Sequence, residues 1–86
     1  LPVAAESGDI AQARHFWHAG QKSEAYAVYD QLLKSEMRSE VIGELEQIVA
    51  EEAADEPILR LLGDAYMREN RLEEALSAYR RALSRL

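Results

Sequence analysis

The chain has no cysteine, few basic residues and no long apolar run. Without cysteine it has no disulfide framework, no zinc ribbon and no thiol nucleophile. No apolar segment approaches the roughly 18 residues that a membrane span requires. Because the absence of cysteine suits a reducing compartment, we expect a cytoplasmic location.

Basic residues are outnumbered by acidic ones. Ten Lys and Arg stand against sixteen Asp and Glu, which gives a net charge of -6. This charge opposes the phosphate backbone of nucleic acids and the anionic face of membranes. We therefore expect neither of them as a partner, and a basic or neutral protein surface instead.

Motifs for catalysis or ligand binding are also absent. The sequence contains no Ser-His-Asp arrangement, no phosphate-binding glycine loop and no calcium loop. His15 and His18 are three residues apart and could share one helix face, but no third metal ligand has a defined spacing to them. We expect no enzymatic activity, no metal site and no cofactor.

Helical periodicity is what the sequence does contain. Apolar residues recur three and four positions apart in five segments, which predicts helices over residues 9–19, 23–34, 39–53, 55–69 and 72–86. Typical end residues are Ser7 or Asp9 and Ser23 as N-caps, Pro57 in a first turn, and Gly20 and Asn70 in left-handed positions. The short breaks make successive helices antiparallel neighbours, so the expected fold class is all-α.

A more specific pattern lies between residues 59 and 83. It consists of Leu59, Leu62, Gly63 and Tyr66, followed by Ala75, Tyr79, Ala82 and Leu83. This pattern resembles the helix-turn-helix signature of a tetratricopeptide (TPR) repeat. The resemblance implies a right-handed α-α superhelix, here a TPR-like solenoid fragment of about five antiparallel helices. Small residues at the helix contact should allow close approach, with Gly63 lying against Ala75. The family's proline after the second helix is missing, since Ala53 stands there.

Two repeat registers are possible. A shift of 34 residues places each signature position on another apolar residue. It predicts a single TPR-like domain, 1–86, with a leading helix at 9–19, a divergent repeat at 23–53 and a clear repeat at 56–86. In the second register, residues 20–33 form the turn and second helix of a repeat, and 39–53 is an extra helix. We favour the first register because it needs no insertion.

Each predicted helix has one apolar face that should be buried. The residues expected in the core are Val28, Leu32, Val41, Leu45, Ile48, Leu59, Leu62, Tyr66, Ala75, Tyr79 and Ala82. We expect Trp17, next to Phe16, to lie in the core or in a contact between helices, and an exposed anchor for a missing neighbour is the alternative.

The resemblance also implies a function. In TPR proteins the first helix of each repeat lines a concave groove, and residues pointing away from the partner helix touch a peptide ligand. By position, the partner-binding residues here would be Tyr26, Asp30, Leu33, Lys34, Arg60, Asp64, Met67 and Arg68. This implies a non-catalytic scaffold that binds a protein or peptide. A solvated helix face with an incidental Tyr and Met is the other interpretation of this row.

The last helix suggests an alternative role in self-assembly. Its apolar residues alternate in spacings of four and three, at Leu72, Leu76, Tyr79, Leu83 and Leu86. A single repeat cannot bury this whole stripe, so Leu76, Leu83 and Leu86 should face another repeat or a second copy of the chain. A homodimer through the C-terminal helix is the simplest form of such a contact.

Overall fold

The computed structural model describes residues 10–51 and 53–86, and these residues form five α-helices and no strand. The helices are α1 (Ile10–His18), α2 (Lys22–Leu33), α3 (Arg38–Ala50), α4 (Glu56–Arg68) and α5 (Leu72–Leu83). They confirm the predicted all-α fold class with five helices. The chain divides into two compact units, with the boundary between Val41 and Ile42.

Each helix ends one to three residues before its predicted end. The helix α3 ends at Ala50, and α5 ends at Leu83, so Leu86 lies beyond it. The prediction of Ser23 as an N-cap is wrong, because α2 already begins at Lys22 after an N-cap at Gln21 that makes no side-chain capping bond. The other N-cap candidates, Ser7 and Asp9, lie outside the described residues.

In the first unit, α1 and α2 form a helical hairpin with a three-residue turn. Gly20 has a φ of 79°, which confirms its predicted left-handed conformation. The backbone N–H of Gln21 then donates to the carbonyl of Phe16 at 2.9 Å. This bond closes the turn and fixes where α2 begins, which explains why Ser23 lies inside the helix.

In the second unit, α4 and α5 form a hairpin of the same kind. Asn70 has a φ of 60°, as predicted for a residue that tolerates the left-handed region. The N–H of Arg71 donates to the carbonyl of Tyr66 at 2.8 Å. The two turns therefore match at positions 50 residues apart, which is the spacing of the second register. The division of the chain into repeats stays a prediction.

The start of α4 is fixed by its own residues. The N-cap Asp55 has an extended backbone, and its side chain accepts a hydrogen bond from the N–H of Ile58 at 3.2 Å. Pro57 lies in the first turn, as predicted, where a missing N–H has no helical partner to lose. A capping bond of this kind stabilises a helix by about 1 kcal/mol.

The predicted core is buried at all but two positions. The buried residues among those predicted are Leu32, Val41, Leu45, Ile48, Leu59, Leu62, Tyr66, Ala75 and Ala82. Val28 is only half-buried because it lies at one side of the buried face of α2, which is formed by Ala25, Tyr29 and Leu32. Tyr79 is half-buried because its hydroxyl reaches an exposed side chain, Asp64.

The side chain nearest to Gly63 is one that the sequence did not indicate. The atoms nearest to a Cβ placed on Gly63 belong to the ring of Tyr79, with Cε1 at 2.6 Å and Cδ1 at 2.7 Å, and not to Ala75. The missing side chain of Gly63 therefore makes room for an aromatic ring from α5.

Candidate functional site

The four partner-binding residues predicted on α4 all lie at the surface. We call them the α4 row, namely Arg60, Asp64, Met67 and Arg68. Arg60 forms an ion pair with Glu56 at 3.5 Å, one turn earlier on the same helix. Met67 is 50% exposed, so a large apolar side chain stands among these charges. The row is accessible and mixes apolar and charged groups.

The four residues predicted on α2 do not share one environment. Leu33 is only 2% exposed, so its side chain belongs to the core and presents no area to a partner. Asp30 and Lys34 pair with each other at 3.2 Å on the surface. Tyr26 is half-buried and contacts the ring of Trp17, with 6.3 Å between ring centroids.

The contact between Trp17 and Tyr26 joins α1 to α2, which confirms the role predicted for Trp17. The ammonium group of Lys22 lies 4.9 Å from the centroid of the Trp17 ring. A cation over an indole face is attracted by the ring quadrupole. This small cluster stabilises the first hairpin.

An apolar stripe runs along the exposed side of α5. The α5 stripe consists of Leu72, Leu76, Tyr79 and Leu83, and Leu86 follows just beyond the helix end. The exposed fractions of the four leucines are 55%, 51%, 67% and 84% in chain order. Contiguous exposed apolar side chains of this kind mark interaction sites in folded proteins.

The α5 stripe and the α4 row are joined by one hydrogen bond. The hydroxyl of Tyr79 donates to a carboxylate oxygen of Asp64 at 2.5 Å. Burial, the largest cause, raises the pKa of Tyr79 together with the hydrogen bond to Asp64 and the negative charge of Asp64, and the resulting pKa is about 12. At neutral pH the hydroxyl thus stays protonated and holds the bond, which makes the two sets one continuous surface.

A polar cluster that the sequence did not indicate lies where α3, α4 and α5 meet in the second unit. The hydroxyl of Tyr66 donates to Glu46 at 2.5 Å, and the guanidinium of Arg71 stands 4.6 Å from the Tyr66 ring centroid. Arg71 also donates two bonds of 2.8 Å to the carboxylate of Glu74. A second carboxylate, that of Glu46, lies 3.8 Å from Arg71.

Arg71 and Glu74 hold each other in their ionised forms. The hydrogen bond from Arg71 lowers the pKa of Glu74, and the same bond raises the pKa of Arg71. Burial raises the pKa of Tyr66 well above its ordinary value, and the hydrogen bond and charge of Glu46 add to this. The hydrogen bonds and the ion pair link α3, α4 and α5 at this point.

A surface pocket of about 170 Å³ opens beside this cluster. The apolar residues that line it are Val49, Leu59, Leu62 and Ala78. Glu46, Tyr66, Glu74 and Arg81 stand among its polar lining residues. Such a volume accommodates a single aliphatic side chain. The sequence alone does not indicate the pocket, because its lining residues come from three different helices.

Within residues 10–51 and 53–86, no three His, Cys, Asp or Glu side chains are grouped so that they could hold a metal ion. His15 and His18 belong to no such group within these residues. In the same part of the chain, no helix combines the length and the apolar character that crossing a membrane requires.

Comparison with known proteins identifies the family of this chain. No curated protein and no solved structure matches the chain. Residues 27–86, which include all of α3, α4 and α5, match the model of the bacterial transcriptional activator domain. The match is to this model and not to a TPR model, although the helical hairpins are TPR-like. The chain belongs to the bacterial transcriptional activator domain family.

Proposed function

We propose that this domain is a non-catalytic protein–protein interaction module of a bacterial transcriptional activator. The observation that carries the proposal is the continuous surface of the α4 row and the α5 stripe. There, Met67 and four leucines of the C-terminal region are each at least half exposed. Burying such side chains against another protein is favourable by roughly 25 cal/mol for each Å² of apolar area.

The remaining chemistry supports a protein partner over other classes. The net charge of -6 works against direct contact with a nucleic acid backbone or an anionic membrane. We therefore assign DNA contact to other parts of the activator and partner recruitment to this domain. A transcriptional activator acts where the bacterial chromosome lies, which supports a cytoplasmic location.

The test replaces three residues of the α4 row, Arg60, Met67 and Arg68, by Ala. Because exposed sites change stability by only about 0.5 kcal/mol, folding should be preserved while recovery of the partner from a native host lysate is lost. Circular dichroism checks the fold, and quantitative pull-down measures recovery.

The matched control changes Glu40 and Gln47, two exposed residues of α3, to Ala and should leave recovery unchanged. Equal partner recovery by the wild-type chain and by the triple variant would remove the α4 row from the interaction surface.

A second candidate function is self-assembly through α5. The specific observation is the length of the α5 stripe, which continues past the helix end to Leu86 with exposed fractions of 51% to 84% among its leucines. A two-fold contact uses the same surface on both copies and can bury the whole stripe at once.

Self-assembly makes a distinct prediction for charged substitutions. Light scattering over a concentration series should detect a dimer of the wild-type chain, and the double variant Leu76→Glu and Leu83→Glu should be monomeric, because burying unpaired carboxylates is costly. The control Ser77→Glu places the same charge on another side of α5 and should still dimerise. A monomeric wild-type chain up to the millimolar range would refute this function.

A further inference from the structure

The charges of α5 are ordered in a way that suits pairing with a second copy of the same helix. Glu73 lies in the first turn of α5 and Arg80 lies in its last turn. Seven residues correspond to about two helical turns, so both side chains lie along the same edge of the α5 stripe. That edge is acidic at one end of the helix and basic at the other.

The neighbouring acidic residue has another role. Glu74 receives two hydrogen bonds of 2.8 Å from Arg71 and lines the pocket on another side of α5. Glu73 is thus the first-turn carboxylate that stands beside the stripe.

We propose that the α5 stripes of two chains pack against each other in an antiparallel arrangement about a two-fold axis. This inference rests on the self-association proposed above and adds its register. Residues spaced alternately four and three apart form the seam of an antiparallel helix pair. In this seam Leu72 meets Leu83 of the second copy and Leu76 meets Tyr79 of the second copy, with the axis between them.

The register brings opposite charges together at the edge of the seam. Glu73 of each chain lies beside Arg80 of the other, and the two-fold axis makes this contact twice. In a parallel pair the two-fold axis would run along the seam and place the Glu73 and Arg80 edges of the two chains on opposite sides of it, so these opposite charges would not meet. The antiparallel order also places the negative end of each helix dipole beside the positive end of the other.

Two single variants test the register, Glu73→Arg and Arg80→Glu. Each variant alone places like charges together at both symmetric contacts, so the Kd of its homodimer should rise about tenfold or more. When the two variants are mixed in equal amounts, every Arg faces a Glu, and a mixed dimer should form with an affinity close to that of the wild-type chain. Light scattering gives the affinities, and native mass spectrometry identifies the mixed dimer.

The control is Glu40→Arg, because Glu40 is the acidic residue in the first turn of α3 and its replacement changes a helix dipole in the same way. It should dimerise like the wild-type chain. If both single variants also do so, or if their mixture does not recover, the register is overturned while self-association stands. If the wild-type chain is monomeric at every concentration, the register and self-association fail together.

Discussion

Replacing Gly63 by Leu is expected to lower the free energy of unfolding by about 1 to 3 kcal/mol. The reason is steric, because even a Cβ at this position would lie 2.6 Å from Cε1 of Tyr79. The ring must then swing outwards, which removes the hydrogen bond from Tyr79 to Asp64 and separates α4 from α5. Thermal unfolding followed by circular dichroism should show the melting temperature falling by roughly 4 to 8 °C for each kcal/mol.

Two further variants separate this clash from a general effect of losing glycine. Gly43 lies inside α3, and a Cβ added there would have no neighbouring atom within 4 Å, so Gly43→Leu should stabilise the chain by about 0.5 to 1 kcal/mol through helix propensity. In a Tyr79→Ala background, Gly63→Leu should cost much less than in the wild-type chain. Equal effects at Gly63 and Gly43 would contradict the proposed contact.

Replacing Leu45 by Ala is expected to cost about 2 to 5 kcal/mol, the range for a fully buried leucine that leaves a cavity. Leu45 is completely buried in α3, within the second unit. A chain of this length has a total stability of only about 4 to 13 kcal/mol. Urea unfolding should therefore show a large fall in midpoint with little change in slope.

The matched control for Leu45 is the same substitution at an exposed leucine of α5. Leu83 is 67% exposed, so Leu83→Ala should change the free energy of unfolding by no more than about 0.5 kcal/mol. Both variants should be measured at low protein concentration, where pairing through α5 does not contribute. A similar loss at both positions would mean that Leu45 is not the better buried of the two.

Local signals in the sequence were sufficient to predict the helices. Apolar residues three and four apart indicate the buried face of each helix, and Gly20 and Asn70 tolerate the left-handed conformation that a tight turn requires. Ser23 shows the limit of such signals. Serine is a favourable N-cap residue, but the hydrogen bond from the N–H of Gln21 to the carbonyl of Phe16 closes the turn, and α2 begins before Ser23.

The candidate site could be predicted only in part, because its contacts join residues that are distant in sequence. Glu46 and Tyr66 are twenty residues apart, and nothing in their local sequence indicates that they meet. In the sequence, Glu46 is one of several acidic residues on the solvated face of α3. Only Arg71 and Glu74 are separated by three residues, which is the spacing of an ion pair along one helix. By contrast, the exposed leucines of α5 were predictable because one helix alone defines that stripe.

The three-residue turns also bear on how fast the chain folds. Within the second hairpin, the bond between Tyr79 and Asp64 spans fifteen residues, and the turn-closing bond from Arg71 to Tyr66 spans far fewer. Short loops cost little entropy to close, and helical proteins rich in such local contacts fold in microseconds to milliseconds. Each hairpin can therefore assemble soon after it leaves the ribosome, which limits the time during which its core residues are exposed on an unfolded chain.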